Sequence, residues 1–169
     1  MNLIIISIFA QNKRVLYIMS IIKTKSDENY AAADLLINNS KLSSSIHCLY
    51  YGAYQRAMYA MKKSGVGYKE QNDNYKKYCG AQAGINNKVK RLGSHEYLIS
   101  EFVKLMKSKT NDARLVGNLN RCFLYLKTCR RKADYENDLI SESDVNDCKA
   151  KAAFLKKTID EFIKNNFAA

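Results

Sequence analysis

The sequence of 169 residues contains no proline. Proline interrupts helix interiors, because it lacks an N–H and its ring clashes with the preceding turn. Its absence suits a chain of long helices joined by short polar loops. The five cysteines, Cys48, Cys79, Cys122, Cys129 and Cys148, include no Cys-x-x-Cys pair. An odd count without paired spacing indicates neither a disulfide framework nor a zinc site. Reduced thiols in a cytoplasmic protein are expected, with no cofactor and no metal. Histidine is scarce, present only as His47 and His95. A bilayer-spanning helix takes about 20 apolar residues, and the run Leu-Ile-Ile-Ile-Ser-Ile-Phe at 3–9 falls short of that. Lys13-Arg14 follow it where a secretory signal would carry small residues. No membrane partner is expected. Met19 reads as an alternative start, so 1–18 is an N-terminal extension and 19–169 one helical domain.

What is present is ordinary in bulk and biased in charge. Hydrophobic residues make up 47% and charged residues 26%, enough for a single packed core. Lys and Arg outnumber Asp and Glu by 28 to 16, a net charge of +12. That excess favours an anionic partner such as RNA, DNA, a nucleotide or an acidic protein. A lysine-rich solvated surface is the plainer alternative. The positive charge is densest at 86–91 and 127–132.

Apolar spacing predicts five helices. The first covers 26–38, with Ser26 as N-cap and Tyr30, Ala33 and Ile37 on one face. The second covers 43–64, capped among Ser43, Ser44 and Ser45 and stopped at Gly65. On it, His47, Tyr50, Tyr54, Met58 and Met61 form a stripe that reads as core or oligomer interface, or alternatively as a base-stacking platform. Residues 65–94 read as irregular. Their tyrosines alternate with lysines, which suits either a partly ordered loop or contact with a single-stranded nucleic acid. The third helix starts at Ser94, with Leu98, Phe102 and Leu105 inward. The fourth runs over 112–135, with Asn111 as a cap candidate. Its heptad-like face is Leu115, Leu119, Cys122, Leu126, Cys129 and Ala133. The fifth starts at Ser141, where Ser141 and Asp144 form a capping box. Val145, Cys148, Ala152, Leu155, Ile159 and Phe162 then face inward as far as Asn165-Asn166. The fold class is therefore all-α, an up-and-down bundle of four to five helices.

The densest chemistry lies at the end of the fourth helix, in Arg130-Arg131-Lys132-Ala133-Asp134-Tyr135. Arg130 sits at the rim of the buried face, four residues before Asp134, so the two can pair. This string resembles the HEPN domain family (higher eukaryote and prokaryote nucleotide-binding). The likeness is strengthened by Ser45-Ile46-His47-Cys48-Leu49-Tyr50-Tyr51-Gly52-Ala53-Tyr54 and by the His95 segment. Together these cover about residues 20–165, and the small stand-alone prokaryotic members look most similar.

The resemblance implies a HEPN-like bundle that dimerises through its motif-bearing helices. Many members are metal-independent endoribonucleases acting as toxins or defence components. Their motif is Arg, a polar residue, then His a few residues later, with two copies facing each other. The Arg holds the scissile phosphate and the His assists attack by the ribose 2′-OH, as a fixed donor fork and a near-neutral proton acceptor should. Mapped here, Arg130 is the Arg and Arg131 the polar residue, but no His follows. Tyr135 stands where it could fall, with a pKa of about 10, a poor base at neutral pH. The resemblance therefore marks Arg130, Arg131 and Tyr135 as candidate catalytic residues. Arg130, Arg131 and Lys132 are candidate phosphate ligands, and His47, His95 and Asp134 auxiliary groups. It also implies a nucleotidyltransferase partner that adenylylates a tyrosine, for which Tyr135 is the candidate. Three readings stay open: an RNA- or nucleotide-binding toxin–antitoxin or defence component with a degenerate nuclease motif, an active endoribonuclease toxin, and a purely structural module.

Overall fold

The computed structural model describes residues 21–83, 91–136 and 139–167. The extension 1–18 and most of the basic cluster 86–91 lie outside the described residues. Among the described residues there are six helices and no strand. They are α1 (21–38), α2 (Leu42–Lys63), α3 (Tyr68–Ala83), α4 (Ser94–Lys109), α5 (Ala113–Tyr135) and α6 (Glu142–Phe167). None is long and apolar enough to cross a membrane. All five cysteines are free thiols.

The all-α expectation holds, and the count rises by one because α3 occupies the stretch read as irregular. Its composition hides it. Gly80 lies inside the helix, and the tyrosines and lysines define no apolar stripe. Tertiary bonds hold it instead. The Tyr75 hydroxyl donates to the Leu92 carbonyl at 3.1 Å, and the Leu92 N–H donates to the Tyr78 hydroxyl at 3.2 Å. The rings of Tyr75 and Tyr78 also pack on Tyr97 of α4, with centroids 5.5 and 5.0 Å away.

The core is built on α2, which packs against α4, α5 and α6, while α5 also packs on α4 and α6. Every expected inward residue of α6 is buried. On α5 the buried line runs through Val116, Leu119, Phe123 and Leu126, whereas Leu115, Cys122, Cys129 and Ala133 are only partly buried. The helix is turned slightly from the heptad reading because Phe123 fills the centre. Its ring meets Phe102 edge-on at 6.5 Å, and Phe102 meets Phe162 at 6.0 Å, the arrangement aromatic quadrupoles favour. Leu105 likewise yields to Met106 as the buried residue on α4.

The helix ends show which polar residues do the capping. Ser26 is no cap; it lies inside α1, fully buried, and its hydroxyl donates to the Gly52 carbonyl at 2.7 Å. Glycine suits that close crossing, since a Cβ on Gly52 would lie 3.1 Å from the Tyr30 ring, which would have to shift slightly. Lys41, not a serine, is the N-cap residue of α2 and offers no side-chain bond. Helix α4 starts at Ser94 as expected, and the N–H of its N-cap residue Gly93 donates to the Glu96 carboxylate at 3.0 Å. Asp112, not Asn111, caps α5 by accepting from the Leu115 N–H at 2.8 Å. The Ser141–Asp144 box forms as expected, with the Asp144 N–H donating to the Ser141 hydroxyl at 3.1 Å and the Ser141 N–H to the Asp144 carboxylate at 3.0 Å. Gly65 stops α2 with φ +97° and the paired backbone bonds of a Schellman motif, from Val66 N to Met61 O and Gly65 N to Lys62 O. Ser40 closes α1 in the same way with φ 56°, a left-handed conformation that costs a side-chain-bearing residue about 1–2 kcal/mol.

Arg56 of α2 is fully buried and joins α1 to α6. Its Nη2 donates to Asp27 of α1, and its Nη1 lies 3.4 Å from Asp160 of α6. Lys156 adds a second cation 3.5 Å from Asp27. Burial raises the Asp27 carboxyl, but hydrogen bonds and charge from Lys23 and Arg56 outweigh it and hold the group below the usual carboxylate range.

Candidate functional site

Arg130 and Asp134 lie one turn apart near the C-terminal end of α5, so their side chains share a face. The Arg130 Nε lies 2.6 Å from Asp134 Oδ2, and its Nη2 donates to the Tyr135 hydroxyl at 3.2 Å. The Nε–H is not aligned on the carboxylate, so the pair is an ion contact more than a linear hydrogen bond. The guanidinium carbon sits 5.7 Å from the ring centroids of both Tyr50 and Tyr51 and 5.4 Å from that of Tyr135. Those separations lie within cation–π range. The Arg130 side chain is 18% exposed, a cation at the bottom of an aromatic recess and still open to solvent.

Both histidines of the chain come to this recess, though neither lies on α5. His47 of α2 places Nδ1 3.2 and 3.3 Å from the two Asp134 oxygens. An ionised carboxylate only accepts, so Nδ1 is the donor in this contact and Nε2 is the ring nitrogen turned away from Asp134. The His47 ring also packs on Tyr51, with centroids 4.6 Å apart. His95, in the first turn of α4, holds Nδ1 3.1 Å from the Tyr50 hydroxyl and stacks on Tyr54 at 4.0 Å. Burial lowers its pKa below the usual histidine value, and the Arg130 charge lowers it further, so His95 is neutral at pH 7. Burial also pushes the Tyr50 phenol up, and Tyr54 up to about 12. Glu96, the next residue on α4, pairs with Lys127 of α5 and fixes the two helices beside the recess.

Of the residues singled out from the sequence, Arg130, Asp134, Tyr135, His47 and His95 are gathered into one cluster. Arg131 and Lys132 are not on its face. Successive helical residues are turned by about 100°, so three in a row cannot point at one ligand. Arg131 is exposed, and Lys132 faces the start of α6. There Ser141 lowers the Asp144 carboxyl through hydrogen bonds, and the Lys132 charge adds to the effect. Among the described residues no three His, Cys, Asp or Glu side chains gather in a way that would hold a metal ion. Tyr50 and Tyr54 are buried, as the core reading of the α2 stripe expects, and with the partly buried Tyr51 they also border this cluster. The available signal was their spacing with His47 along one face of α2.

Comparison of the chain with protein-family models, curated proteins and solved structures returns no match.

Proposed function

We propose that the chain is a HEPN-like RNA-binding protein, a toxin–antitoxin or defence-type component in which Arg130 receives a backbone phosphate. One observation carries this reading: Arg130 opens to solvent from an aromatic recess that also holds both histidines of a chain carrying +12. Arginine presents a planar donor fork suited to phosphate oxygens. The exposed Tyr135 ring beside it gives a neighbouring base or ribose a flat surface. A homodimer with two such recesses, and a nucleotidyltransferase partner acting on Tyr135, belong to the same reading. Tyr135 is 74% exposed, accessible to such an enzyme, and bonded to Arg130, so a charged group added there would fall on the phosphate site.

The orientation of His47 favours a second reading, metal-independent RNA cleavage. With Nδ1 held by Asp134, His47 Nε2 would take the proton of a ribose 2′-OH as that oxygen attacks the phosphorus. The bond to the 5′ oxygen breaks, that oxygen leaves as a hydroxyl with a proton taken from water, and a 2′,3′-cyclic phosphate forms. The histidine absent after Arg130 in the sequence would then be supplied from α2.

The test is binding of single-stranded and structured RNA at several salt concentrations. Wild type is expected to bind with a steep salt dependence, and Arg130→Ala to weaken it and flatten the slope by about one phosphate contact. Binding that Arg130→Ala leaves unchanged, or no binding at low salt, overturns the reading. Cyclic-phosphate ends that disappear in His47→Ala would establish cleavage.

A further inference from the structure

A cavity of about 260 Å³ lies between α2, α3 and α4, directly beside the Arg130 recess. Its wall includes Tyr54 and His95, which also belong to the recess, and Tyr68 and Tyr75, which do not. Gln71 and Asn72 of α3 supply amides to the same wall. The Gln71 amide N–H₂ donates to the Val66 carbonyl at 3.0 Å, which fixes its orientation.

The lining specifies a ligand type. Tyr54, Tyr68, Tyr75, Tyr97 and His95 all line one small space, an aromatic wall that suits a flat π-system. Carboxamides offer both donor and acceptor, the combination that reads a heterocycle edge. The volume lies just below the roughly 300–1,000 Å³ typical of small-molecule sites, room for one ring system and little more. His95 connects this space to the cation: it lines the cavity, approaches the Tyr50 hydroxyl at 3.1 Å, and the Tyr50 ring stands 5.7 Å from the Arg130 guanidinium. An aromatic slot beside a phosphate-binding cation matches the build of one nucleotide.

We infer that this cavity is a nucleobase subsite, taking one unstacked base of the RNA whose phosphate sits on Arg130. The inference rests on the phosphate reading of Arg130 and adds to it. It gives α3 a task, to close the slot over the base. It also accounts for the run of tyrosines and lysines in the sequence, whose Tyr68 and Tyr75 face a ligand space.

The probes are AMP, GMP, CMP and UMP against ribose 5-phosphate, which carries the anion without a base. The chain has no tryptophan, so quenching of its tyrosine emission reads binding directly. At least one nucleotide is expected to bind tenfold or more tighter than ribose 5-phosphate. Tyr68→Ala should remove roughly tenfold of that affinity, as loss of one stacking partner does, while leaving ribose 5-phosphate unaffected. Tyr68 is 63% exposed, so this variant keeps the fold. Asn72→Ala, also at an exposed position, should change the ranking among the four bases. Four nucleotides that bind no better than ribose 5-phosphate, or not at all, overturn the subsite. So does an affinity that neither variant alters. The two readings fail separately. A base preference that survives Arg130→Ala, with RNA binding unchanged, removes the phosphate site and keeps the slot. Arg130-dependent RNA binding without any gain from the base does the reverse.

Discussion

Two arginines divide the labour of positive charge in this molecule, and their surroundings differ in kind. Arg56 is fully buried, flanked by Asp27 and Asp160 from two other helices, with Lys156 outside them. Among the described residues Arg130 pairs with one carboxylate, Asp134, which it shares with His47, and tyrosine rings face it on its other sides. A guanidinium closed in by two carboxylates has no capacity for an incoming anion and serves as a fastener. One that is partly neutralised, faced by rings and open to solvent keeps that capacity. The local sequence does not distinguish them, since each is an arginine on an amphipathic helix. Enclosure and the number of facing carboxylates do.

The sharpest way to break this comparison is to remove each arginine and measure both folding and binding. Arg56→Ala empties a fully buried position, while Asp27 and Asp160 stay partly exposed and Asp27 keeps Lys23 and Lys156, so the loss is chiefly one of packing, about 2–5 kcal/mol. Urea denaturation should show that loss. Arg130→Ala should cost about 1 kcal/mol or less in the same experiment, the scale of a partly exposed ion pair with cation–π support. The contrast collapses if the two variants are equally destabilised. A smaller effect tests the environment of His95. Its pKa is lowered in the folded chain, so the unfolded chain binds the proton more readily, and stability must fall as pH drops below about 6.5. Thermal unfolding at pH 7 and pH 5 should show a larger drop for wild type than for His95→Gln. Equal drops would mean that His95 is not the group responsible.

The bundle was legible because packing is periodic. Six inward positions on α6 were read correctly from spacing alone, and the Ser141–Asp144 cap from a local motif. On α5 the reading is one position off at Val116 and Phe123, since the lines through Leu115 and Cys122 and through Val116 and Phe123 both keep spacings of three and four, and only the neighbouring helices choose between them. Helix α3 was missed because its order comes from Tyr75 and Tyr78 bonding to Leu92, a tertiary effect without periodic signature. The site divides in the same manner. Arg130, Asp134 and Tyr135 are neighbours in sequence, so their contacts followed from helical spacing. His47 is 87 residues from Asp134 and Tyr50 is 45 from His95, and no one-dimensional rule brings such pairs together. Their meeting depends on the relative rotation of α2, α4 and α5, which the whole core determines.

Asp134 touches Arg130 with one oxygen and His47 with both, and this sharing has a thermodynamic consequence. The two contacts are energetically coupled through one carboxylate, so removing Arg130 must change what His47 contributes, and by the same amount the reverse. A double-mutant cycle of Arg130→Ala and His47→Ala, read by urea denaturation, should be non-additive. Losses that simply add would show that Asp134 does not connect the two side chains.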